Sequence, residues 1–144
     1  MLILLLDIAD NTYAIKGSDI VEIVPCIPLQ NLAQSPSHIS GWFNYREKPI
    51  TVIDLSMLIH NKPTNRQLCT RNIIIEIQQP NNTPLFLGLL AEKVLETIQV
   101  NMSQIIDKAN VSPSFIFLKQ VIIKTQPMIQ LIDTSYLLQG INFI

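Results

Sequence analysis

The sequence predicts an all-β protein, a sandwich or small barrels of about five strands each, with only short helices. Three observations predict it. The apolar residues fall into short, β-branched segments bounded by turn residues, about ten in all. No segment keeps helical periodicity over about 11 residues or more. The chain also repeats itself weakly in a unit of about 70 residues, a length that suits one closed five-stranded barrel without exposed sheet edges.

The first segment, 2–8, is an unbroken apolar run. It is too short to span a membrane, which takes about 20 residues. It also lacks a basic flank and a small-residue cleavage site. It therefore reads as a buried strand, and the chain is expected to start almost directly on structure. The turn Ala9-Asp10-Asn11 leads into strand 13–15, and Gly17-Ser18 separates this from strand 20–24. Arg46-Glu47-Lys48 is the expected hairpin turn between strands 42–45 and 49–54. Strands 73–77 and 85–90 flank a polar, Pro-containing connection, and strands 94–100, 115–123 and 128–132 complete the set. Short helices are expected after Asp54 and after Asp133. The polar segment 62–69 is the expected main surface loop.

Composition excludes several function classes. With 144 residues, 48% of them hydrophobic and only 15% charged, the chain can bury a sizeable core and is not disordered. The net charge is −1 and the ten Lys and Arg never form a run. Nucleic acid and anionic membrane surfaces both need a clustered basic footprint, so neither is expected as a partner, and no membrane insertion is expected. Cys26 and Cys69 stand in no metal-binding spacing and read as two buried, reduced thiols of a cytosolic protein. His38 and His60 accompany no nucleophile motif or second metal ligand and read as loop or helix-end residues. The four glycines form no phosphate-binding loop. No cofactor, metal or catalytic residue is expected.

The internal repeat rests on two matches in the same order at similar offsets. Ile53-Asp54-Leu55-Ser56-Met57-Leu58-Ile59 matches Ile132-Asp133-Thr134-Ser135-Tyr136-Leu137-Leu138 at four of seven positions. Ile20-Val21-Glu22-Ile23-Val24 matches Val94-Leu95-Glu96-Thr97-Ile98, and the same offset lays Ala14-Ile15 on Gly88-Leu89. In each copy a strand ends at an Asp suited to cap a short helix, because its side-chain oxygen accepts an orphan backbone N–H. Two repeated aspartates also resemble the dyad of aspartic proteases, in which two carboxylates share a proton. Here Asp54 is followed by Leu, neither Asp is followed by Gly, and the chain is too short for two such lobes.

The segment His38–Ile59 (38–59), HISGWFNYREKPITVIDLSMLI, is similar to the signature of the CheW-like domain: Ile-x-Gly, then Asn-x-Arg, then an apolar strand ending in Val-Ile-Asp-Leu. Tyr13-Ala14-Ile15, Val21-Glu22-Ile23-Val24, Leu87-Gly88-Leu89-Leu90-Ala91-Glu92-Lys93-Val94 and the segment 128–138 resemble the rest of that pattern in order. The resemblance implies a single domain over 1–144, made of two intertwined SH3-like barrels divided at approximately 12–72 and 73–144, with strand 2–8 able to join the second. It also implies an adaptor that binds the regulatory domain of a CheA-type histidine kinase and the cytoplasmic tips of chemoreceptors. Such an adaptor is cytoplasmic, recruited to membrane-associated receptor arrays, and monomeric or weakly self-associating.

The sequence departs from the pattern at Glu47, where the family has Gly after Asn-x-Arg. Gly suits a turn with positive φ and Glu tolerates it poorly, so a remodelled turn is expected. By resemblance, Glu22 and Arg46 match positions important for kinase and receptor binding, and the two are expected to lie close together on the first barrel. Arg46 as a plain hairpin charge in solvent is the other reading. Ile20 and Val94, equivalent in the two repeats, match positions bordering the groove between the barrels, or serve the core alone. Gly41 and Asn44 shape the same region or only its turn geometry. A small-barrel interaction module outside chemotaxis is the alternative function.

Overall fold

The computed structural model describes residues 1–140; the last four positions of the expected second unit lie outside them. The described residues form eleven strands and two short α-helices: β1 (Leu2–Ile8), β2 (Asn11–Lys16), β3 (Ile20–Pro25), β4 (Ile39–Tyr45), β5 (Lys48–Asp54), α1 (Leu55–His60), β6 (Arg71–Gln78), β7 (Pro84–Ala91), β8 (Lys93–Gln99), β9 (Ile105–Asp107), β10 (Gln120–Ile122), β11 (Ile129–Ile132) and α2 (Thr134–Gly140). They form two sheets, in the orders β3-β6-β7-β5-β4 and β8-β1-β2-β11-β10-β9.

Both sheets close in the same way. In the first, the chain leaving β3 crosses over so that Gln30 pairs with Trp42 of β4, with two backbone hydrogen bonds of 2.8 and 2.9 Å. In the second, the chain leaving β8 returns as β9 on the far edge, against β10. Each barrel is thus five strands, the last contact coming from a continuation of the first strand.

Strand segments with little polar alternation follow from burial on both faces. In β1, Ile3 and Leu5 fill the second barrel while Leu4, Leu6 and Ile8 join a large core between the barrels. In β6, Ile74 fills the first barrel, and Ile73, Ile75 and Ile77 join that same shared core. In β7, Leu90 points inward and Leu87, Leu89 and Ala91 point to the partner barrel. The shared core is what makes the two barrels one unit.

The repeat survives down to register. Parallel pairing sets Ile53 opposite Leu89 in one barrel and Ile132 opposite Ile15 in the other. This reproduces the sequence match of Gly88-Leu89 with Ala14-Ile15. Ile20 faces Ile75 while Val94 faces Leu6, and a bulge follows at the same place in both copies. The division at 72/73 does not coincide with the sheets. β6 and β7 hydrogen-bond with β3 and β5, so the first barrel spans β3 to β7; the second takes β1 and β2 from the start of the chain together with β8 to β11. Each repeat has given its leading hairpin to the other barrel. A repeat in sequence marks what is copied, not what is paired.

One expected strand is half wrong. In 115–123 only β10 is a strand, because Pro113–Leu118 forms a 3-10 helix. Pro113 opens it, where a missing N–H costs nothing, and the turn buries Phe117 and Leu118 in the shared core. A short apolar run cannot by itself distinguish strand from buried helix. The three-residue β9 carried no sequence signal.

Both Asp caps are present, but unequal. The Asp54 carboxylate is buried and accepts from Met57 N (3.2 Å), Thr64 N (2.9 Å) and Thr64 Oγ1 (2.5 Å). Thr64 belongs to the loop 62–69, which is otherwise mostly exposed. Asp133 accepts from Ser135 N (3.1 Å) and Ser135 Oγ in an exposed setting. Each carboxylate is engaged with its own helix start, which is cap geometry and not that of a shared-proton dyad. Cys26 and Cys69 are free and only half-buried, against the expectation of full burial. His60 ends α1 and is bonded to the Tyr13 hydroxyl at 2.9 Å, whereas burial lowers the pKa of His38.

Candidate functional site

The hairpin β4–β5 turns through Arg46 and Glu47, with φ of 49° and 66°. Two positive φ values in a two-residue loop match the right-handed twist of the flanking strands. The expected remodelling at Glu47 therefore does not occur: the turn keeps the geometry that suits Gly, and Glu47 bears the strain. The β1–β2 hairpin does the same at Ala9 and Asp10, with φ of 49° and 63°. A non-Gly residue in the left-handed region costs about 1 kcal/mol. Glu47→Gly is accordingly expected to raise stability by about 1 kcal/mol, read as a higher denaturation midpoint at unchanged slope. An unchanged or lowered midpoint would show the turn to be relaxed as it stands.

This turn brings Arg46 across the seam between the edge strands of the first barrel. β3 and β4 are the two edges of its sheet. Arg46 Nη2 donates to Glu22 Oε1 of β3 at 2.6 Å, so the expected proximity of Glu22 and Arg46 is observed. The Tyr45 hydroxyl donates to the same oxygen, also at 2.6 Å. The Arg46 guanidinium lies 5.1 Å from the centre of the Tyr45 ring, and that ring packs edge-on against Phe43. Hydrogen bonding to the Glu22 carboxylate, followed by burial, raises the Tyr45 pKa. Next to it, Lys48 lies 4.7 Å from the Phe86 ring centre. The arginine and glutamate side chains are 71% and 38% exposed. At that exposure the pair adds at most about 1 kcal/mol to stability, so its value lies in geometry.

The remaining candidate residues are dispersed. Asn44 is exposed, opposite Pro49 across the hairpin. Gly41 is buried, at φ 142°, and a Cβ there would stand 2.3 Å from the Gln30 carbonyl oxygen. It makes room for the crossing that closes the barrel. Ile20 shares β3 with Glu22, while Val94 lies on β8 of the other barrel; both are half-buried and pack on the shared core. Beside them Val21, Ile23 and Leu95 are exposed on the same two edge strands. Tyr45 was missed: it is the unspecified middle residue of Asn-x-Arg, and no local pattern reports a contact across a barrel seam.

A sequence model of the CheW-like domain matches residues 2–142. The chain belongs to the CheW-like domain family. Among solved structures, the scaffolding protein TtCheW from Thermoanaerobacter tengcongensis superposes with a TM-score of 0.81 at 25% identity, over 94% of this chain and 86% of that one. No curated protein matches the chain. The two SH3-like barrels are those of the CheW fold, and among the described residues no helix is long and apolar enough to cross a membrane.

Proposed function

We propose that this CheW-like chain is a non-catalytic adaptor that couples chemoreceptors to a CheA-type histidine kinase. It acts in the cytoplasm at membrane-associated arrays, as a monomer or a weakly self-associating species. The observation that carries the reading is the pairing of Arg46 with Glu22 on the seam of the first barrel, within a chain matched to the family over residues 2–142. An exposed cation held in one place contributes orientation to a partner, in keeping with an adaptor. Ile20, Val94 and the exposed edge residues around them supply the apolar part of such a surface, against which an amphipathic receptor helix would lie. Gly41 and Asn44 serve this surface through the shape of the hairpin.

The test is a titration of the full chain against the regulatory domain of the CheA-type kinase from the same organism. Micromolar affinity is expected, weakened about tenfold or more by Arg46→Glu, since charge reversal sets like charges against each other. Binding that ignores the substitution would remove Arg46 from the interface. No binding to any such kinase would leave a protein-interaction barrel outside chemotaxis.

A further inference from the structure

From the bonding at the barrel seam we infer that Tyr45 is a positioning residue. Its hydroxyl and ring hold the Glu22–Arg46 pair in one arrangement, so that Arg46 meets a partner carboxylate in a fixed direction. The inference rests on the adaptor reading for its partner, and on geometry alone for the positioning itself.

An exposed arginine–glutamate pair does not keep its geometry unaided. Two flexible side chains lose entropy on pairing, and solvent screens their attraction. Tyr45 differs from both in having few rotatable bonds and an anchored ring. Phe43, 6% exposed, belongs to the cluster inside the first barrel, and Tyr45 packs on it at 6.3 Å between ring centres and 70° between planes. The rigidity of the barrel interior thus reaches the surface in one step. From there Tyr45 touches both members of the pair. Its hydroxyl donates to Glu22 Oε1, and its ring lies beneath the Arg46 guanidinium. Bonds to a carboxylate are the stronger kind of hydrogen bond.

The arrangement leaves Arg46 able to bind. Its contact with Glu22 uses one terminal nitrogen, Nη2, and the side chain remains 71% exposed. Guanidinium has five N–H donors and carboxylates accept them in a fixed fork, so an acidic side chain is the matching partner chemistry. Glu22 lies on β3 and Tyr45 on β4, so the oriented cation also depends on the seam being closed.

The experiment compares the full chain with Tyr45→Phe, which keeps the ring and removes the hydroxyl. Two measurements are made: the rotation rate of the Arg46 guanidinium by nitrogen-15 NMR, without any partner, and the affinity for the kinase regulatory domain. The expected result is faster guanidinium rotation and a dissociation constant raised about fivefold, with the melting temperature lowered by only a few degrees. In an Arg46→Ala background the same substitution should leave affinity unchanged. Unaltered rotation in Tyr45→Phe would overturn the inference whatever the kinase does. Faster rotation with unaltered affinity would overturn the claim that a partner reads the orientation. Faster rotation, with no binding by the wild-type chain, would uphold the positioning and refute the adaptor reading instead.

Discussion

Gly41→Ala is expected to lower the melting temperature by about 10 °C, a loss of about 3 kcal/mol. Two causes add. The backbone at φ 142° lies where residues with a Cβ are strained. The new Cβ would also stand 2.3 Å from the Gln30 carbonyl oxygen, a backbone atom that no rotamer change can move aside. Relief requires the Gln30 segment to withdraw, which breaks its two hydrogen bonds to Trp42 and opens the first barrel. Asn44→Ala, three residues further on in an exposed position, is the control and should stay within about 0.5 kcal/mol of wild type. Calorimetry on both variants decides. A Gly41→Ala protein that melts with the wild type would mean that the crossing does not constrain this position. Gly41 thus makes room for the crossing that closes the seam over which Glu22, Tyr45 and Arg46 meet.

The second large effect separates two aspartates that look alike in sequence. Asp54→Ala is expected to cost about 3 kcal/mol, because it removes a helix cap and leaves the buried Thr64 N–H without an acceptor. Asp133→Ala removes only an exposed cap and should cost about 1 kcal/mol. Urea denaturation at constant slope measures both. Equal losses would show that the loop carrying Thr64 contributes nothing through Asp54. The pairing of Ile-Asp-x-Ser in both repeats foretold two caps of one kind. Their inequality comes from Thr64, ten residues away in a loop that has no counterpart in the repeat match.

Much of the site was legible for the same reason as the caps: it follows from short-range pattern. Asn-x-Arg between two apolar strands marks a hairpin, and the match of Glu22 to Glu96 marks β3 and β8 as equivalent. The proximity of Glu22 and Arg46 followed from the family resemblance and is borne out at 2.6 Å. Glu47 shows the opposite limit. Its intrinsic preference argued for a different turn, but a two-residue connection between paired strands demands positive φ, and the ladder from Ile39 to Tyr45 outweighs about 1 kcal/mol of local strain. Tyr45 was illegible because its role depends on the edge it meets across the seam.

The sequence by itself determined most of the strands, the two-barrel architecture, the caps at Asp54 and Asp133 and the duplication. The strands and caps are written in periodicity and in residue types a few positions apart, and the duplication in the match between two distant segments. Only the tertiary structure decided which strands share a barrel, that 113–118 turns as a 3-10 helix, and that Tyr45 completes the pair at the seam. The physical reason is that β6 and β1 carry similar buried patterns, which do not specify the sheet each one joins. Their choice is made by hydrogen bonding to strands far away in the chain and by a core that both barrels share. Local sequence sets what can pair; long-range packing selects what does.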